Sequence, residues 1–350
     1  MRHRFFIFAC LFLVFSCGGQ PSHLKTVSSI VQLDDFFVVE ATRTQQSNST
    51  PRSSCREKIA QIICITAERP TDLNTQPICL PGGEQYAVLF EEIYDRFPKN
   101  LQRMFCSLSQ IYILEKFVGT AFAGTVDPAT GNITSAVIGF RRSIIDERLN
   151  LKTWATWKEQ LSFGGDTDSY RHPLPELPYI ETATDVPIND FLYFVVAHEF
   201  GHIFDFTNHV NKTIKVPHSD GEPELFTEDS WGAIGWSDTF FPKPESRFSY
   251  RLNLCFYFCN GEAMTKEAVP ELYRGLAHSN FISTYGATNA FDEFADTLAY
   301  YLLDKNGYSY ELHTGQGESY DIMAKLNSQR MAGKHQYIKD FLARSDIIYP

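Results

Sequence analysis

The feature that most constrains this chain is the run from Phe191 to Phe206, which is apolar nearly all round yet contains two histidines and a glutamate. A helix that is apolar on every side has to be buried. Burying imidazoles and a carboxylate there without partners is costly. The polar residues form His198-Glu199-Phe200-Gly201-His202. Helical positions four apart share a face, so His198 and His202 can grip one zinc ion while Glu199 acts on a metal-bound water. Asn189 or Asp190, just after Pro187, can cap the helix. The plain alternative is a pair of core histidines held by hydrogen bonds alone.

A third ligand has to come from elsewhere. The metzincin pattern wants a histidine ten residues after the first, but that position is Asn208; His209 is out of register, and Asp205 stands where a glycine is expected. That class is excluded. Downstream, Ser283 to Asp296 opens a second apolar helix that continues through Leu298, Tyr301 and Leu302.

The His198-Glu199-Phe200-Gly201-His202 motif, taken with Tyr285-Gly286-x-Thr288-Asn289-x-x-acid-x-Phe294-Ala295-acid, resembles the catalytic domain of anthrax lethal factor and its bacterial relatives, which are gluzincin metalloproteases. The resemblance ends near residue 305, begins near 85 or 185, and is strong only in the two motif helices. It implies an α+β, zincin-like domain: a small mixed sheet packed on the His-Glu-x-x-His helix and on a second, ligand-bearing helix. It also implies zinc as cofactor and a protein or peptide substrate. His198 and His202 would bind the metal, Glu199 would be the general base, and Tyr285 would offer its hydroxyl to the reacting carbonyl. The acid seven residues after the tyrosine, Asp292, would complete the metal site, and Asp296 would orient a histidine ligand. The family carries glutamate at the ligand position, so Asp292 is a departure. Glu293 is the alternative if the helix is rotated. Asp292 is preferred because it shares a face with Asp296, whereas Glu293 has Thr297 behind it.

The N-terminus points to export. Arg2 and Arg4 precede an apolar run, Phe5 to Phe15, too short to span a bilayer but suited to a signal peptide. Val14-Phe15-Ser16-Cys17 resembles a bacterial lipobox, with Phe15 bulkier than usual, so Cys17 is expected to carry a lipid. Gly18 in the next position resembles an outer-membrane sorting signal, which places the chain in the bacterial cell envelope, anchored in the membrane through Cys17. Of eight cysteines, six then remain, four between Cys55 and Cys106 and two at Cys255 and Cys259. An even number in an oxidising compartment suggests disulfides in a 4 + 2 arrangement. With 31 basic against 42 acidic residues and a net charge of −11, no basic face for nucleic acid is expected.

The organisation expected is a signal peptide at 1–16, a tether at 17–54, a cysteine-rich subregion at 55–83, the catalytic domain at 84–305 and a helical extension at 306–350. A short strand is expected at Phe36 to Val39, helical spacing from Glu84 to Cys106, and a strand from Ile111 to Phe122. A turn at 127–132 leads to a returning strand from Ile133 to Phe140, whose segment from Thr134 is the candidate edge for pairing with an extended substrate. Residues 152–187, rich in Trp, Gly and Pro, read as irregular. The long interval between His202 and Asp292 reads as an insertion whose Trp231, Trp236 and Phe240-Phe241-Pro242 either line a substrate groove or, as preferred, simply pack the insertion. Two rivals to a peptidase stand at this point: a non-catalytic binding module on the same scaffold, and a zinc hydrolase of cell-wall peptides.

Overall fold

A computed structural model describes residues 52–70, 73, 78–126, 133–168, 170, 172–183, 190–214, 225–257, 259 and 262–350. Cys17 and its signal, the strand at 36–39, the turn at 127–132 and the Asn189 cap lie outside the described residues.

The chain forms a mixed α+β fold. Helix α1 (Arg52–Ile62) runs straight into strand β1 (Ile63–Thr66). The expected helix at 84–106 is two, α2 (Ala87–Arg96) and α3 (Lys99–Ser107). Pro98 separates them, because proline pushes its predecessor Phe97 into extended backbone and is tolerated only where the next helix starts. Next come β2 (Leu108–Leu114), β3 (Ala121–Val126) and β4 (Ser135–Arg141). The expected strand from Ile111 to Phe122 is therefore β2 and the start of β3, parted by the polar Glu115-Lys116 and Gly119.

The sheet order is β1-β2-β4-β3, with β3 antiparallel to β4 and the other pairs parallel. This corrects the expected edge. The segment from Thr134 to Phe140 lies inside the sheet, with Ala136, Val137, Ile138 and Phe140 all buried, and the edges are β1 and, beside β4, β3. A continuous apolar run marks a strand covered on both faces but does not say which neighbour flanks it. Gly139 pairs with Phe122 across the two strands, and a Cβ there would sit 2.0 Å from the phenyl ring. Residues 63–66 of the cysteine-rich subregion belong to this sheet, since β1 pairs with β2.

Residues 151–160 are helix, not irregular chain: α4 (Leu151–Gln160), capped by Asn150, whose side chain accepts from Thr153 N at 2.8 Å. Strand β5 (Tyr179–Thr182) follows, then the long buried helix α5 (Asp190–Asn208), α6 (Val269–His278) and α7 (Ala290–Lys305). The C-terminal residues are not purely helical. Strand β6 (Tyr310–His313) pairs with β5 and with β7 (Ser319–Asp321), and α8 (Ala332–Ala343) packs on α7. Trp231 and Trp236 are fully buried, but they pack on the two later helices and Phe281 and not among themselves: Trp231 meets Phe294 of α7 and Tyr337 of α8, Trp236 meets Phe281 and Glu293, and Phe241 is exposed.

Helices α5 and α7 form the centre of the molecule. Gly201 permits their contact, since a Cβ on it would come within 2.7 Å of Ala295 Cα. Phe105 and Phe97 pack on Phe200 from the other side, at 4.9 and 5.9 Å between ring centroids. The cysteines pair in the 4 + 2 pattern: Cys55–Cys106 joins α1 to α3, Cys64–Cys79 anchors β1, and Cys255–Cys259 closes a tight loop. Among the described residues no helix is long and apolar enough to cross a membrane.

Candidate metal centre

Both histidines and Glu199 come from the middle of α5, and all three are more than half buried. The contact through Gly201 brings the first turn of α7 against them. His198 Nε2 lies 3.1 Å from His202 Nε2, and Asp292 Oδ1 lies 3.7 and 3.4 Å from the same two atoms. Three donors about 2.1 Å from one ion in a tetrahedral arrangement lie roughly 3.4 Å apart. The His198, His202 and Asp292 group can therefore hold a metal ion.

The aspartate is placed by the start of its helix. Asn289 caps α7, its Oδ1 accepting from Phe291 N and Asp292 N at 3.0 and 2.9 Å. Its amide then donates to Asp292 Oδ2 at 2.5 Å, leaving Oδ1 to face the imidazoles. The preceding turn is fastened by the buried Arg251, which donates to the carbonyls of Ala287 and Phe240 at 2.7 and 3.0 Å. One turn further along α7, Asp296 Oδ1 sits 2.7 Å from His198 Nδ1, while its Oδ2 accepts from Ser283 Oγ. A carboxylate on Nδ1 turns Nε2 toward the metal position.

Glu293 goes elsewhere. Its Oε2 accepts from Trp236 Nε1 at 2.7 Å and its Oε1 pairs with Lys334 Nζ of α8, both side chains being completely buried. One residue along a helix is a rotation of about 100°, which turns Glu293 away from the imidazoles that Asp292 faces. Glu293, the alternative ligand, is thus engaged by Lys334 and Trp236 and lies outside the His198, His202 and Asp292 group.

The electrostatics suit a cation. Burial disfavours ionised Asp292, but the two imidazoles outweigh it and hold the carboxyl below the usual range. Burial alone would lower His198, yet the facing carboxylates of Asp292 and Asp296 raise it to about 9. Burial lowers His202. Desolvation pushes Glu199 up to about 7, so its carboxyl is poised to exchange protons near neutral pH.

Beside the metal position lies a small recess lined by Ala121 at the start of β3, Lys158 of α4, His198, Glu199 and Tyr285. The ring of Tyr285 is 5.8 Å from that of His198, edge-on to Phe256 at 5.0 Å, and covered by Lys158 Nζ at 3.6 Å. All the residues read from the two motifs thus converge, except Glu293. Lys158, Arg251 and the capping role of Asn289 emerge only from the fold, although an asparagine directly before an apolar helix is a legible cap signal. Compared with known proteins, the chain matches no family model, no curated protein and no solved structure. What fold and site define is an α+β protein with a buried His-His-Asp group able to hold a metal ion.

Proposed function

We propose that this chain is a zinc-dependent metalloendopeptidase with a zincin-like domain, exported and tethered to the bacterial cell envelope through a lipid on Cys17. The observation that carries the reading is the convergence of His198, His202 and Asp292 at tetrahedral spacing, with Glu199 beside them and Asp296 behind His198. Nitrogen and carboxylate donors in a three-residue set are what a catalytic zinc uses when it keeps one position open. When bound, zinc would act as a Lewis acid on the scissile carbonyl and lower the pKa of water.

The chain's own residues do the rest. Glu199 takes a proton from the attacking water and returns it to the leaving amine. Tyr285 donates its hydroxyl to the carbonyl oxygen as charge develops there. Asp296 keeps His198 in one tautomer and orientation. The outer edge of β3, which begins at the recess, would pair with an extended substrate by strand addition. The three disulfides agree with a site outside the reducing cytosol.

The test is cleavage of an unstructured protein such as casein before and after chelation. Cleavage that stops with chelator and returns with zinc supports the reading. Cleavage indifferent to chelation, or none by fully zinc-loaded protein, refutes it.

A further inference from the structure

Lys158 is a cation that the proposed mechanism does not use. Its side chain is 12% exposed, and it lines the recess beside His198 and Glu199. Among the described residues its closest carboxylate is Asp296 Oδ1 at 4.0 Å, beyond hydrogen-bond range and already set on His198 Nδ1. The adjacent Glu159 acts on it through space only, since that carboxylate accepts its hydrogen bonds from Tyr273 and Thr284. What holds the ammonium in place is aromatic, the faces of Tyr285 at 3.6 Å and Trp154 at 5.2 Å. Such contacts stabilise and aim a cation without using its N–H donors. An ammonium carries three donors, and a mostly buried one gains from an anionic acceptor.

The surroundings define what that acceptor is. Trp154, Phe194 and Val195 give the recess an apolar wall beside its polar groups Lys158, His198 and Glu199, so a charge entering it is less screened than in water and the ammonium repels a second cation. The space is about 30 Å³. One water occupies roughly 10–15 Å³ of such a cavity, so it takes two or three heavy atoms, the size of a carboxyl group. Ala121, where edge strand β3 begins, lies on the same recess. A peptide paired along β3 would therefore place there a group next to the bond that Glu199 reaches.

We infer that Lys158 makes this site selective for peptides carrying a carboxylate beside the bond to be cut. This rests on the peptidase reading for the identity of the ligand as a peptide. The carboxylate has two sources, an acidic side chain or the free C-terminus, and the shared chemistry is a monoanion in reach of Lys158 Nζ.

The experiment measures binding, so that it stands apart from turnover. Zinc-loaded full chain carrying Glu199→Gln is titrated with labelled decapeptides by fluorescence anisotropy. One set has aspartate scanned through each position with an amidated C-terminus; a second has asparagine in its place; a third is neutral with a free C-terminus. The expected result is that aspartate at one position, or the free C-terminus, binds about 10- to 100-fold more tightly than the neutral amide. Added Lys158→Gln or Lys158→Met should reduce that ratio to below about threefold with zinc content unchanged, while Lys158→Arg should keep it. Equal affinities for all three sets overturn the inference, as does a carboxylate preference that survives Lys158→Gln and Lys158→Met. Carboxylate-selective binding that depends on Lys158 in a protein that never cleaves peptides would sink the peptidase reading, and with it the placement beside a bond to be cut, while keeping Lys158 as the carboxylate-selecting residue. Cleavage without any carboxylate preference would do the reverse.

Discussion

Replacing Gly201 by alanine should cost this protein its metal far more than its fold. The new Cβ would lie 2.7 Å from Ala295 Cα and 3.0 Å from Ala295 Cβ. Ordinary carbon–carbon contact is about 3.5–4.0 Å, so α5 and α7 must part or slide by roughly 1 Å. Overpacking of this kind costs about 1–3 kcal/mol, of which the better helix propensity of alanine over glycine returns about 1 kcal/mol. The net loss of stability is then only about 0–2 kcal/mol. The metal site is less forgiving. Asp292 stands on α7, one turn before Ala295, and the histidines on α5. Ligand distances in a working site hold to about 0.2 Å, and a 1 Å shift between the two helices exceeds that several-fold. We expect zinc affinity to fall by more than about 100-fold, beyond the loss typical of a missing outer partner. Urea unfolding of the metal-free protein gives the stability, and competition with a chromogenic chelator gives the affinity. The converse change, Ala295→Gly, should leave zinc binding near normal. A Gly201→Ala protein that binds zinc like wild type would refute the claim that this contact sets the ligand geometry.

Asp296→Ala should weaken zinc about 10- to 100-fold by the same chelator assay, because His198 Nδ1 loses its carboxylate. Glu293→Leu alone, leaving Lys334 buried without its carboxylate, should cost about 3–5 kcal/mol in urea unfolding; adding Lys334→Met should recover most of it, and a single variant as stable as wild type would contradict the buried pair. Asp205 is buried, and desolvation raises its pKa from 3.8 to about 6. Its folded value lies above its unfolded one, so its favourable contribution is complete below about pH 4 and is lost as pH rises through about 6. Wild type should therefore lose about 2 to 2.5 kcal/mol relative to Asp205→Asn between pH 4 and 7. A pH-independent difference in their unfolding free energies would exclude it.

The centre of the molecule was legible because its constraints are local. Two histidines one turn apart in a wholly apolar helix, and two acids one turn apart in another, declare their shared faces through helical period alone. The cysteines declared their grouping by spacing. What was not legible depends on three-dimensional order. Nothing in Thr134 to Phe140 tells which strand flanks it, so β4 reads equally well as edge or interior, and the edge beside it is β3. Helix α4 is obscured because Trp154 and Trp157 run into the glycines and prolines that follow; the Asn150 cap and the apolar positions Leu151, Trp154 and Ala155 are its signal. With α4 unseen, Lys158 had no place in the site. Glu293 stayed open as a ligand because its partner Lys334 lies 41 residues away, a distance over which no periodicity reports.

The most direct test of the central claim compares wild type with Glu199→Gln, both loaded with one zinc per chain, on the same casein substrate. The account predicts that wild type cleaves and that the variant, with its zinc retained, is slower by at least about 100-fold. Equal rates at equal zinc content would contradict it.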